Sequence, residues 1–174
     1  LSPGSFWQAH VKGPELLTAC VSEFAKLLNL DPEKQNLDLY SGAGLFSATL
    51  SAQFDGAKFL AVESSKQAIA DGERSSHDLD NLRFHQADVL KFLRSQTAGT
   101  FDTIILDPPR SGAANKVVEQ LIRLSPRNMI YVACDPVALA RDLKTLGDAG
   151  YNVKAMRAFD IFPHTHHFET VVAL

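Results

Sequence analysis

Apolar positions along this chain follow two alternating rhythms. Leu16, Leu17, Cys20, Val21, Phe24, Leu27 and Leu28 recur with a 3.6-residue period behind Pro14, a residue suited to a first helical turn, and predict an amphipathic helix. Compact apolar runs follow at 36–40, 58–63, 82–85, 101–106 and 128–133, each of strand length. Helical spacing fills the gaps: from about residue 45, then over 65–79, 89–93, 115–124 and 138–146, the last with Pro136 at its start and Gly147 or Gly150 as its stop. Two extended runs, 151–159 and 168–174, come last, joined by a Pro-containing loop.

Strand–helix alternation predicts an α/β architecture: a mostly parallel sheet with helices on both faces. The final two runs, with no helix between them, predict an antiparallel strand pair at one edge. That combination resembles the class I methyltransferase fold, which is Rossmann-like. The 174 residues suffice for one domain with a real core, and 45% hydrophobic with 21% charged residues is ordinary globular composition. No apolar run reaches membrane-spanning length, and no signal-peptide pattern opens the chain. Cys20 and Cys134 make no disulfide framework; a free functional thiol fits a reducing, cytoplasmic setting. The chain opens at Leu1 without an initiator Met, so residues 1–174 are expected to be a single domain cut from a longer protein. A net charge of −3 argues against a strongly basic face, leaving Arg110, Lys116, Arg123 and Arg127 as a local candidate patch.

Candidate chemistry gathers where strands end, the side on which open α/β sheets bind ligands. Leu37-Asp-Leu-Tyr-Ser-Gly-Ala-Gly44 closes the first strand with a glycine turn that lets a ligand approach the backbone. Ser47 stands where a dinucleotide fingerprint has its third glycine, which favours a cofactor without phosphates. Glu63, at the end of the second strand, is suited to ribose hydroxyls, and Asp88, after the third, to an adenine amino group; either acid also fits a plain helix-capping role. Together these ends suit S-adenosylmethionine. Asp107-Pro-Pro-Arg110 leaves the fourth strand along a stiff path, which holds Asp107 where its carboxylate can meet a base N–H. Cys134 ends the fifth strand in Tyr131-Val-Ala-Cys-Asp-Pro136 and is a candidate nucleophile. Arg141 and Asp142 are expected to pair and shape the adjoining loop. Glu169, at the start of the last strand, is a candidate base. His164, His166 and His167 lack the spacing of a helical zinc motif or a finger, so no metal is expected.

These stretches, with Phe6-Trp7-Gln8, Ala140-Arg-Asp142 and Phe162-Pro-His-Thr-His-His-Phe-Glu169, make the chain resemble the catalytic domain of the RNA uracil-C5 methyltransferases. The resemblance implies transfer of a methyl group from S-adenosylmethionine to C5 of a uridine in tRNA or ribosomal RNA. It assigns Cys134 as the nucleophile, Glu169 as the base and Asp107 a place beside both cofactor and base. Gln8, Tyr40, Gly42, Gly44, Glu63, Asp88 and Asp107 become the cofactor site. The chain departs from the family pattern at His10, Leu45 and Asp135, where asparagine is commoner; Asp135 puts a negative charge beside the thiol. Full-length members carry an RNA-binding barrel and an insert that this sequence lacks. The residues alone leave open an exocyclic-amine nucleobase methyltransferase, which needs no thiol, a non-catalytic cofactor- or RNA-binding module, and a nicotinamide-dependent oxidoreductase.

Overall fold

The structure is a computed structural model that describes residues 13–161 and 168–174. Its elements are α1 (Gly13–Leu27), β1 (Gln35–Leu39), α2 (Leu45–Gln53), β2 (Lys58–Glu63), α3 (Lys66–Ser75), β3 (Leu82–Gln86), α4 (Val89–Ser95), β4 (Phe101–Leu106), α5 (Asn115–Leu124), β5 (Asn128–Ala133), α6 (Pro136–Asp148), β6 (Ala155–Phe159) and β7 (Glu169–Ala173). The strands form one sheet in the order β3-β2-β1-β4-β5-β7-β6. β1 to β5 pair in parallel, and β7 runs antiparallel to both β5 and β6. The expected antiparallel pair is present, and β7 is the inner member of it.

The central strands are apolar because both their faces are covered. Every residue of β4 and β5 is buried. Side chains alternate between two cores. Leu37, Leu39, Ile104, Leu106 and Tyr131 pack beneath α4, α5 and α6, whereas Ile105, Ile130, Val132 and Val171 pack beneath α1 and α2. β6 is an edge strand, exposed through its middle and carrying Arg157, a charge that discourages edge-to-edge pairing. No helix among the described residues is long and apolar enough to cross a membrane.

Two expected boundaries move. The helix expected over 65–79 stops at Ser75, because Ser75 turns its hydroxyl onto the Asp71 and Gly72 carbonyls and Ser76-His77-Asp78 has little helix propensity. The run expected from 151 becomes strand only at Ala155. Tyr151 is held at the end of α6 by its N–H on the Leu146 carbonyl and its hydroxyl on that of Pro126. Gly147 lies inside α6 and Gly150 follows its end.

At the amino ends of the strands a buried acid fastens three segments. The Asp102 side chain on β4 is 1% exposed and receives Arg127 Nε at 2.8 Å and Nη2 at 2.9 Å. Arg127 Nη2 also donates to the Asn29 carbonyl, and the Asp31 N–H donates to Asp102. Burial pushes the Asp102 carboxyl up, but the hydrogen bonds from Arg127, Asp31 and Thr103 outweigh it and hold it below the usual range. We predict that Arg127→Ala, by stranding that carboxylate, costs about 2 kcal/mol at neutral pH, a figure discounted for the half-exposed arginine. A depressed carboxyl contributes stability above its unfolded pKa and loses it as pH falls, so the gap should narrow in acid. Urea unfolding at both conditions measures it; an equal gap in acid would contradict the assignment.

Candidate active site

The loop after β1 is shaped by unusual backbone angles. Tyr40 has φ 58°, uncommon for a bulky residue and of a kind that gathers at functional sites. Gly44 has φ 81°, and a Cβ there would lie 2.8 Å from the ring of Phe84, so a side chain fits neither the backbone nor the space. Asp38 alternates with Leu37 and Leu39 and therefore faces away from their core. It is fully buried. Its Oδ2 accepts the Ser47 N–H at 3.0 Å, while Oδ1 has no partner among the described residues. Burial lifts the Asp38 carboxyl to about 6 against the Ser47 hydrogen bonds. The Ser41 hydroxyl, three residues on, is also buried without a partner there.

Glu63 supports this loop from β2. Its Oε2 accepts the Gly42 N–H at 3.2 Å, and its Oε1 accepts the Ser65 N–H at 2.8 Å and the Ser64 hydroxyl at 3.0 Å. Asp88 is exposed and caps α4 by accepting the Lys91 N–H at 2.9 Å, so the capping role foreseen for it is real. Tyr40 is half-buried; burial, then the charges of Asp88 and Asp142, pushes its hydroxyl to about 12. Gln8 lies outside the described residues, as do His164, His166 and His167.

The thiol and the remaining acids meet at the carboxyl ends of β4 and β5. The β5–β7 ladder ends with Ala133 paired to Thr170, which leaves Cys134 and Glu169 as the next residue of each strand at that end, within electrostatic reach of each other. This works because β7 is antiparallel, so its first residue lies beside the last of β5. Glu169 is 5% exposed, its Oε2 has no partner among the described residues, and burial pushes its carboxyl up to about 7. Asp107 is anchored by its N–H on the Leu39 carbonyl; burial, then Glu169 and Asp38, raises its carboxyl well above the usual range. Cys134 is half-buried. Burial raises its thiol, Glu169 and Asp107 raise it further, and Arg110 opposes them. The structure thus gathers Cys134, Glu169 and Asp107 into one electrostatic unit. A shallow cleft beside the sulfur is lined among others by Pro108, Arg110, Tyr131 and Leu139.

Other expectations sort themselves here. Asp135 caps α6 by accepting the Ala138 N–H at 2.8 Å, so the acid beside the thiol is paired with the helix backbone. Arg141 and Asp142 pair at 2.8 Å, as expected. The candidate basic patch divides: Arg127 is bound to Asp102 and Arg123 to the Leu93 and Gln96 carbonyls, on the side of the sheet away from Arg110. Sequence reasoning passed over Asp38 and Ser41. The available signal was an acid set between two leucines in a buried strand, a placement that needs a partner.

A sheet of this order, with acids and a thiol at its carboxyl ends, is a class I methyltransferase fold. It superimposes over 100% of the chain on the Pyrococcus abyssi tRNA (uracil-54, C5)-methyltransferase in complex with S-adenosyl-L-homocysteine, with a TM-score of 0.82 and 33% identity, covering 41% of that protein. Residues 16–174 match the tRNA (Uracil-5-)-methyltransferase family, and the chain belongs to it. Among its relatives are uncharacterized RNA methyltransferases of Streptomyces avermitilis, 42% identical over 98% of the chain and 39% of that protein, and of Thermotoga maritima, 45% identical over 79% and 31%. The chain spans about two-fifths of the length of the Streptomyces and Pyrococcus proteins.

The Glu169 environment makes a pH prediction. A carboxyl raised from 4.5 to about 7 binds its proton more tightly in the folded state, so stability falls as pH rises between those values. Glu169→Gln removes the penalty. We expect it to stabilise the protein by about 2 kcal/mol in mild alkali and by little below pH 4.5. Thermal unfolding across pH measures this, and a pH-independent difference would refute the burial argument.

Proposed function

We propose that the protein containing this chain transfers a methyl group from S-adenosylmethionine to C5 of a uridine in tRNA or ribosomal RNA, through a transient bond between Cys134 and C6. The observation that carries this reading is the juxtaposition of Cys134 and a proton-holding Glu169 across β5 and β7, with Asp107 within electrostatic reach. Membership of the uracil-5 methyltransferase family supports it, as does the likeness to an enzyme acting on tRNA uracil.

The residues present fit the cofactor. Asp38 and Ser41 each keep a buried oxygen without a partner among the described residues, beside a glycine loop where a side chain would strike Phe84. The Ser47 N–H at the start of α2 is used by Asp38, and a buried acid there disfavours a phosphate. Asp38, Ser41, Tyr40, Gly42 and Gly44 would hold the amino-acid end, Glu63 and Asp88 the nucleoside, and Asp107 the approach to the base. When bound, the cofactor supplies an electrophilic methyl group, which becomes bonded to C5.

The chain's own residues do the rest. Uracil C5 is a weak nucleophile, and addition of the Cys134 thiolate at C6 moves the C5=C6 electrons onto C5 and the C4 oxygen. Once C5 carries the methyl group, its hydrogen must leave as a proton. Glu169, with a pKa near neutrality, is matched to take it. The pair left by the C5–H bond forms C5=C6 as the C6–S bond breaks, the C6–S electrons leave with Cys134 as thiolate, and the ring is regenerated. A base inside a folded RNA must be turned out of its stack to reach the cleft.

We predict that Cys134→Ala abolishes methylation while leaving S-adenosylmethionine binding intact, measured by methyl incorporation and calorimetry. Glu169→Gln should form an RNA adduct that persists on a denaturing gel. Methylation by the alanine variant at the normal rate would end the covalent reading; absence of accumulated adduct would remove Glu169 as the base. Mass spectrometry of RNA from cells lacking the parent protein should show a lost 5-methyluridine and so identify the substrate.

A further inference from the structure

The connection from β4 to α5 carries Arg110, the one charge that favours the Cys134 thiolate among those shifting it. Three side chains from elsewhere fasten this connection. Asp142 on α6 is 1% exposed, and its Oδ2 accepts the Ala113 N–H at 2.8 Å and the Tyr131 hydroxyl at 2.7 Å. The Ala113 N–H also donates to the Tyr131 oxygen at 3.1 Å. Oδ1 of Asp142 accepts Nε and Nη2 of Arg141, and the same Nη2 donates to the Ser111 carbonyl at 2.8 Å. Gly112 lies between the two tied residues at φ 82°, where a Cβ would be 2.4 Å from Arg141 Nη2 and 2.6 Å from Asp142 Oδ2. At the other end, Asp107 is bound to the Leu39 carbonyl and followed by two prolines. Arg110 therefore sits in a short segment fixed on both sides.

We infer that Asp142, through Tyr131 and Arg141, is a positioning residue that holds the 108–113 connection so that Arg110 faces the Cys134 thiol. A carboxylate this deeply buried costs stability, and an apolar replacement of like shape is often neutral or better. Its use here is to fix one loop conformation. The groups that face the thiol are Glu169 from β7, Asp107 from the end of β4 and Arg110 from the connection, with Asp135 turned to the Ala138 N–H. Asp142 is not among the charges that shift the thiol, and removing a negative charge would in any case favour the thiolate. Displacing Arg110 does the opposite, so the sign of the change separates the two effects.

The importance of this clamp for turnover rests on Cys134 being the nucleophile; its test does not. In the full chain, the rate of Cys134 alkylation by iodoacetamide is measured against pH by mass spectrometry, with buried Cys20 as internal reference. Asp142→Asn should move the midpoint upward and slow alkylation at neutral pH by roughly threefold. Arg110→Gln should do the same, and the double variant should add nothing further. Tyr131→Phe should produce a smaller shift in the same direction, and it decides the matter alone if Asp142→Asn does not fold. An unchanged midpoint in a folded variant, or additive effects in the double variant, overturns the inference. Full methylation by Cys134→Ala would overturn the proposed function and leave this result standing.

Discussion

Carboxyl groups deprived of water hold their protons, and this site is arranged around that constraint. Asp38 lies near the end of β1, Asp107 follows β4 and Glu169 begins β7, and burial is the leading cause of the upward shift in each. Each raises the next or the thiol between them: Asp38 acts on Asp107, Asp107 and Glu169 on Cys134. The result is a set of carboxyls shifted toward neutral pH. Glu169, poised near 7, can exist as carboxylate and take up a proton there. Arg110 is the counterweight, and its effect depends on where the loop that carries it is held.

The fold makes this concentration of acids tolerable. Strands buried on both faces supply the apolar contact that offsets it, and strand alternation sends Asp38 away from the core that receives Leu37 and Leu39. The opposite ends of the strands follow a different rule. There Asp102 is saturated by Arg127, Asp31 and Thr103, its carboxyl is held down, and it serves as a fastening. One residue type is thus a reservoir of protons at one end of the sheet and a fixed anion at the other. The number of hydrogen-bond donors around it decides which.

Much of this was legible along the chain. β4, α5 and β5 fall where apolar runs and helical spacing put them, because strands covered on both faces leave an unbroken signature and Asp107-Pro108 and Cys134-Asp135-Pro136 punctuate their ends. The thiol, Asp107 and Glu169 were readable as residues out of place at strand ends. Other features depend on convergence of distant segments. Asp142 meets Ala113 across 29 positions, and nothing local to either announces it. Arg123 and Arg127 look like parts of a basic face until their carbonyl and carboxylate partners appear. Ser75 ends its helix by a side-chain choice that periodicity does not record. The unpartnered oxygens of Asp38 and Ser41 exist only once the core has closed around them.

The place of β7 has a consequence for the order in which the molecule matures. Residues 169–173 leave the ribosome after every other strand, yet they occupy an interior position, between β5 and β6. The sheet cannot zip up to that edge until they arrive, and Cys134 has no acid across from it before then. A nascent polypeptide with the other six described strands in place would carry the sulfur and the glycine turn but lack Glu169. Insertion of one short hydrophobic segment completes the mechanical scaffold and brings an acid to the sulfur's side of the sheet in the same event.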